Sequence, residues 1–230
     1  MATFVLLPGA GSDSWYWHRV VPLLQELGHT AIPVDLPYSD DDAGQYEYAD
    51  VVVAEARDAR PPLILVGQSM SAFTAVIAAE RLVVDRLILV APMIPAPGES
   101  PGGWWSAVGQ EQAKRAQDIA DGRDPDLPFD PRELFFHDVP AEIVAEAFTH
   151  EAPVLSDSAF EPAWRADRWP DVPVRVVAGR HDRLFPLDLI RRIARERVGV
   201  EPDVLDSGHL VALVRPRELT DLLVAPVEGR

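Results

Sequence analysis

Three residues of this chain could together cut an acyl bond. Ser69 lies in Gly67-Gln68-Ser69-Met70-Ser71, Asp182 in Gly179-Arg180-His181-Asp182, and His209 in Asp206-Ser207-Gly208-His209. A serine hydroxyl is a weak nucleophile until a base within hydrogen-bond reach takes its proton, and that base needs a third group to fix its tautomer. Ser69 follows the apolar run 63–66 and precedes an alanine-rich stretch. A serine on a sharp strand-to-helix turn takes a strained backbone, so the residues two positions away must be small. Gly67 meets this demand, and Ser71 stands where a second glycine is usual. Read singly, each residue has a plainer explanation: Ser69 as a helix cap, Asp182 as a turn aspartate before Pro186, His209 as a residue at a helix start. Read jointly, each follows its own strand, in the chain order serine, aspartate, histidine. That order differs from those in which chymotrypsin and subtilisin carry the same three residue types. Among the 6 histidines, only His181 and His209 follow the last two strands, where open parallel sheets place their sites. Asp206 and His181 are the weaker alternatives for acid and base.

The opening run Leu6-Leu7-Pro8-Gly9-Ala10-Gly11 has two readings. A dinucleotide-binding turn needs glycine at its first, third and sixth positions. Gly9 and Gly11 fit, the sixth is Ser14, and Asp35 could hold a ribose. That reading leaves Ser69, Asp182 and His209 unexplained. An oxyanion hole accounts for all of them, with one N–H from Met70, after the nucleophile, and one from Ala10, in the loop after the first strand. Gly9 and Gly11 then let the loop turn close to the serine.

These residues need a scaffold. Near-continuous apolar runs at 4–7, 30–34, 63–66, 87–90, 174–177 and 204–205 read as about six strands buried on both faces. Helical spacing separates them, at 17–27 with Pro22 inside, 48–59, 70–82, 187–198 ending at Gly199, and a last helix opening at Pro216. Alternation of this kind predicts an α/β fold, a mostly parallel sheet with helices on both faces. It breaks between 92 and 171, a stretch rich in proline and aromatics with helical patches around 104–120 and 140–149. The expected organisation is a core of 1–91 and 172–230 with 92–171 inserted as a helical cap. Trp104, Trp105 and His137 of the cap are candidates to touch substrate, together with Gly9, Gly11 and Leu210.

Composition narrows the chemistry. The chain has 230 residues, no cysteine and a net charge of −16. Thiolate chemistry, disulfides and Cys-ligated zinc are excluded, and an acidic surface repels nucleic acid and anionic membranes. The lone lysine, Lys114, sits in a polar stretch, which removes a phosphate-loop or Schiff-base lysine. We expect no cofactor, no metal and no membrane span. The expected setting is a cytoplasmic monomer or homodimer with a small-molecule substrate.

The residues Phe4-Val5-Leu6-Leu7-Pro8-Gly9-Ala10, Trp15-x-Trp17, Pro22-Leu23-Leu24, Gly28-His29 and Asp35-Leu36 resemble the plant methyl-ester esterase and hydroxynitrile lyase group of the α/β-hydrolase superfamily. Gly208-His209-Leu210 and Pro216-x-x-Leu219 fit as well. The resemblance spans roughly 3–91 and 172–224. It implies Ser69, Asp182 and His209 as the triad, and Ala10 and Met70 as oxyanion donors. Pro8 replaces a usual histidine. The lyase branch is marked by a threonine, a glutamate and a lysine where this chain has Gly9, Gln68 and Leu210, so the esterase branch is implied. The expected function is hydrolysis of small, fairly apolar carboxylic esters or lactones. The alternatives are a non-catalytic small-ligand receptor, or a lyase or cofactor-free oxygenase on the same fold.

Overall fold

The computed structural model describes residues 1–226. Residues 227–230, the last of the expected core, lie outside the described residues. Six strands form one sheet: β1 Thr3–Leu7, β2 Thr30–Pro33, β3 Leu63–Gln68, β4 Arg86–Val90, β5 Val174–Gly179 and β6 Asp203–Leu205. Their order is β2-β1-β3-β4-β5-β6, with every neighbouring pair parallel. Successive strand residues point to opposite faces, and both faces here are apolar. Val5, Leu7, Leu63 and Leu65 pack into one hydrophobic cluster, while Phe4, Leu6, Ile64 and Val66 pack into another. This two-sided burial explains why the strands read as unbroken apolar runs.

The first cluster is covered by α2 Gln45–Glu55, α3 Ser71–Ala79 and α8 Leu187–Val198. The second is covered by α1 Val21–Glu26 and α10 Pro216–Val224. The spacing from Trp17 to Leu27 is split, into a 3₁₀ turn at Ser14–Trp17 and then α1. Pro22 is the cause: lacking an N–H, it is tolerated only in a first turn, so a new helix starts beside it. The expected helix at 48–59 begins earlier, because Glu47 Oε2 accepts the Gly44 N–H at 2.9 Å and caps the start there. Pro216 does sit in the first turn of α10, and one extra turn, α9 Val211–Val214, precedes it.

The sheet order sets the site. The chain leaves β1 in one direction to form β2, then returns to the other side of β1 to form β3. The loops after β1 and β3 therefore diverge and leave a crevice, where such sheets bind ligands. The glycine loop and Ser69 flank this crevice. Between β4 and β5 the chain forms α4 Pro101–Ala107, α5 Gln110–Ala120, α6 Pro131–Phe135, α7 Ala141–Ala147 and a 3₁₀ turn at Asp157–Phe160. The expected helical patches correspond to α4, α5 and α7, and α6 was not foreseen. No helix among the described residues is long and apolar enough to cross a membrane.

Candidate active site

Ser69 has φ 55°, a left-handed backbone that non-glycine residues adopt only at a cost. The surrounding structure enforces it. The Ser69 N–H donates to Val90 O at 3.0 Å, and its carbonyl accepts from Met93 N–H at 3.0 Å. The turn is therefore pinned on both sides by the end of β4. Gly67 has no room for a side chain, since a Cβ there would lie 2.8 Å from the Ser71 carbonyl oxygen. Ser71 is fully buried, and its hydroxyl lies 2.8 Å from Gln68 O and 3.1 Å from Leu7 O. The serine in place of glycine thus ties the elbow to β1, a use its sequence position did not reveal.

Asp182 and His209 are both buried and joined, with Nδ1 of the ring 2.7 Å from Oδ2 of the carboxylate. The other carboxylate oxygen accepts the N–H groups of Leu184 at 2.8 Å and Phe185 at 2.9 Å. The carboxylate is held in the loop after β5, and one oxygen is left to orient the imidazole. The rings of Phe185 and Phe135 lie 5.1 Å and 5.4 Å from the imidazole. With Nδ1 engaged, Nε2 is the ring nitrogen open to other partners. The weaker alternatives from the sequence pair with each other instead: His181 Nε2 lies 2.7 Å from Asp206 Oδ1, both well exposed at the surface. Neither lines the cavity beside Ser69.

That cavity, of about 570 Å³, is lined by Ser69, Met70, His209, Gly9, Ala10 and Gly11 among others. Neither the Ala10 N–H nor the Met70 N–H bonds to another group among the described residues. Tyr38 steadies the glycine loop, its hydroxyl donating to Pro8 O at 2.9 Å. Asp35, the candidate ribose ligand, accepts the Ser14 N–H at 2.7 Å and so serves the loop's own turn. Most of the rest of the lining is apolar, including Trp105, Phe135, Phe136, Phe148, Phe160 and Leu210, while Ser12, Asp13, Gln68 and His150 add polar groups. Tyr16 also faces it. Burial pushes the Tyr16 phenol well up, with the nearby Asp182 charge adding to the effect, so it stays neutral.

Two candidates are corrected. Trp104 is fully buried, its indole N–H donating to Ile94 O at 3.0 Å and its ring packed against Phe185; it belongs to the core and does not face the cavity. His137 also lies outside this cavity. It faces a separate polar one of about 280 Å³ behind Asp182, with Arg123, Arg180 and Arg183. Burial holds its imidazole below the usual histidine range, against the opposing pull of Asp138. Sequence reasoning missed His150, which lines the cavity and lies 2.6 Å from Asp13. No motif marks it, since its partner is on the glycine loop. No cluster of three or more metal-ligating side chains occurs among the described residues.

An all-parallel six-stranded sheet, with a left-handed serine at a strand-to-helix turn lining the same cavity as a histidine bonded to an aspartate, is an α/β-hydrolase architecture. The chain belongs to the alpha/beta hydrolase family, whose model matches residues 4–222. It is 24% identical, over 96% of this chain and 93% of the relative, to norfluorocurarine synthase 1 of Strychnos nux-vomica. It is 33% identical, over 43% of this chain and 42% of the relative, to the probable esterase PIR7A of Oryza sativa subsp. indica. Its fold matches the crystal structure of polyneuridine aldehyde esterase with a TM-score of 0.76 at 18% identity, covering 97% of this chain and 98% of the other.

Proposed function

We propose that the protein is a serine hydrolase of small, fairly apolar carboxylic esters or lactones. One conjunction carries the reading: a serine of positive φ at a strand-to-helix turn lines the same cavity as a histidine bonded to a buried aspartate. In this reading Ser69 Oγ attacks the acyl carbon while His209 Nε2 takes its proton. Asp182 keeps the Nδ1 tautomer and stabilises the imidazolium. The N–H groups of Ala10 and Met70 receive the oxyanion. His209 then passes its proton to the leaving alcohol and activates a water that frees the acid from Ser69. The esterase-named relative points the same way. The size and apolar lining of the cavity suit a compact acyl or aryl group, and the segment 92–171 supplies much of that lining as a cap.

A fluorophosphonate probe followed by mass mapping tests the reading directly. The expected result is one adduct on Ser69 that is absent in Ser69→Ala. An unlabelled wild-type protein that still binds small apolar acids would favour a non-catalytic receptor instead.

A further inference from the structure

His209 ends a short loop whose start is tied down, with Arg215 Nε donating to Asp206 O at 2.8 Å and the Arg180 N–H to Leu205 O at 2.8 Å. It follows β6, a short edge strand paired only with β5. Within the loop at 206–209, the Ser207 N–H turns back to Leu205 O at 2.9 Å, and Ser207 O accepts the His181 N–H at 2.9 Å. The Gly208 N–H, one residue before the imidazole, finds its partner in the cap: Asp138 Oδ2, at 2.5 Å. The other Asp138 oxygen is buried without a hydrogen bond among the described residues, at a cost, and His137 Nδ1 lies 3.9 Å from it.

The packing is as specific as the hydrogen bond. A Cβ on Gly208 would lie 2.8 Å from both Asp138 Oδ1 and His137 Nε2. On the far side, a Cβ on Gly179 would collide with the carbonyls of Ser207 and Gly208. The loop is thus held between the end of β5 and the cap. The same cap segment reaches the acid loop too. Arg183, next to Asp182, donates to the Glu133 carbonyl oxygen at 2.8 Å and lies 3.1 Å from its carboxylate, and the Phe135 ring packs on His209.

We propose that Asp138 is a positioning residue that fixes the backbone under His209, so that the cap sets the reach of the base. The proposal rests on the hydrolase reading given above, in which Asp182 and His209 are the acid–base pair. A charge-assisted hydrogen bond to a backbone N–H is among the stronger ones available. Small misplacement of a catalytic group costs rate, to the order of a hundredfold for about 1 Å.

The test compares wild type, Asp138→Ala and Asp138→Asn with p-nitrophenyl acetate as the probe. Asp138→Ala is expected to lower kcat by about tenfold or more while KM stays near wild type. Asp138→Asn keeps a carbonyl acceptor for the Gly208 N–H and is expected to recover most of the rate. Where alanine fails to fold, Asp138→Ser, too short to reach Gly208, takes its place. The low-field imidazole proton of the Asp182–His209 pair, read by proton NMR without substrate, is expected to persist in the asparagine variant and to broaden or vanish in the alanine one. A wild-type kcat and an unchanged resonance in Asp138→Ala would overturn the positioning role and leave the hydrolase reading intact. A wild-type rate in Ser69→Ala would count against the hydrolase reading, while the resonance would still report on the loop. A loss confined to KM, or an asparagine variant as impaired as alanine, would also overturn the proposal.

Discussion

At the scale of single residues, Ser69 and the two histidines after the last strands give the sharpest expectations. Ser69→Ala should lower turnover of an activated ester by about a thousandfold or more, with the melting temperature little changed. His209→Ala should behave alike. His181→Ala should keep most of the activity, because His181 pairs with Asp206 at the surface, outside the Ser69 cavity; steady-state rates of the two variants side by side decide this. A further expectation concerns reaction type. Cleaving a cyanohydrin expels cyanide, an anion that needs a nearby cation. No lysine or arginine lines the cavity among the described residues, and Leu210 offers only hydrocarbon beside the imidazole. Mandelonitrile should therefore be turned over near background while the ester is hydrolysed. Cyanide release at a rate matching ester hydrolysis, and lost in Ser69→Ala, would reverse the assignment toward a lyase.

Much at this scale was legible, and the reason is chemical. A nucleophile elbow demands small residues at fixed offsets, so Gly67 and Ser69 left a local mark. Asp182 and His209 each follow an apolar strand, so their order along the chain could be read. Asp138 and His150 left no such mark. Their partners, Gly208 and Asp13, are far away in the chain, and long-range pairing has no local period. The cap aromatics misled for a related reason. Trp104 and Trp105 are adjacent in a short helix and both touch Phe185; only the folded packing, which buries Trp104 against Ile94 O, leaves Trp105 to face the cavity.

At the scale of elements, the six strands were legible because burial on both faces makes them continuously apolar. The sheet order was not, since strands of similar composition carry no label for their neighbours. The cap elements predict an acid response. Burial holds His137 below the ordinary histidine value of 6.5. The unfolded chain therefore takes up that proton first as the pH drops, and the folded state binds fewer protons. The contribution is present above the unfolded value and is lost as the pH falls through the lowered folded one. Denaturant midpoints should fall as the pH drops below about 6.5, and His137→Gln should fall less steeply. A wild-type midpoint that is level across that range would contradict the buried neutral imidazole.

At the scale of the whole molecule, three buried tyrosines make the opposite limb. Burial pushes Tyr16 and Tyr38 well up and Tyr48 to about 12, with the Ser158 hydroxyl beside Tyr48 offsetting part of its rise. A raised phenol stabilises the fold below its unfolded value and loses that contribution as the pH rises through the folded one. Stability should thus decline above about pH 10, aided by self-repulsion of a chain that already carries −16. Tyr48→Phe removes a buried phenol that must ionise in alkali and should soften the alkaline decline. Urea titrations across that range provide the measurement.

The segment 92–171 lies between β4 and β5, two strands that lie side by side in the sheet. Lengthening a connection is thermodynamically cheap, about 0.6 kcal/mol for each doubling of a flexible loop. The core therefore places little constraint on how long that connection is or what shape it takes. A transplant between relatives could exchange this whole passage as a cassette and keep the barrel-free parallel scaffold folded. The reach of Asp138 to Gly208 adds one compatibility rule to such a graft: the incoming cassette must bring its own acceptor for that amide. A chimera lacking it would fold, bind its new ligand and turn over slowly, and restoring one carboxylate at the matching position would repair the rate without touching the pocket.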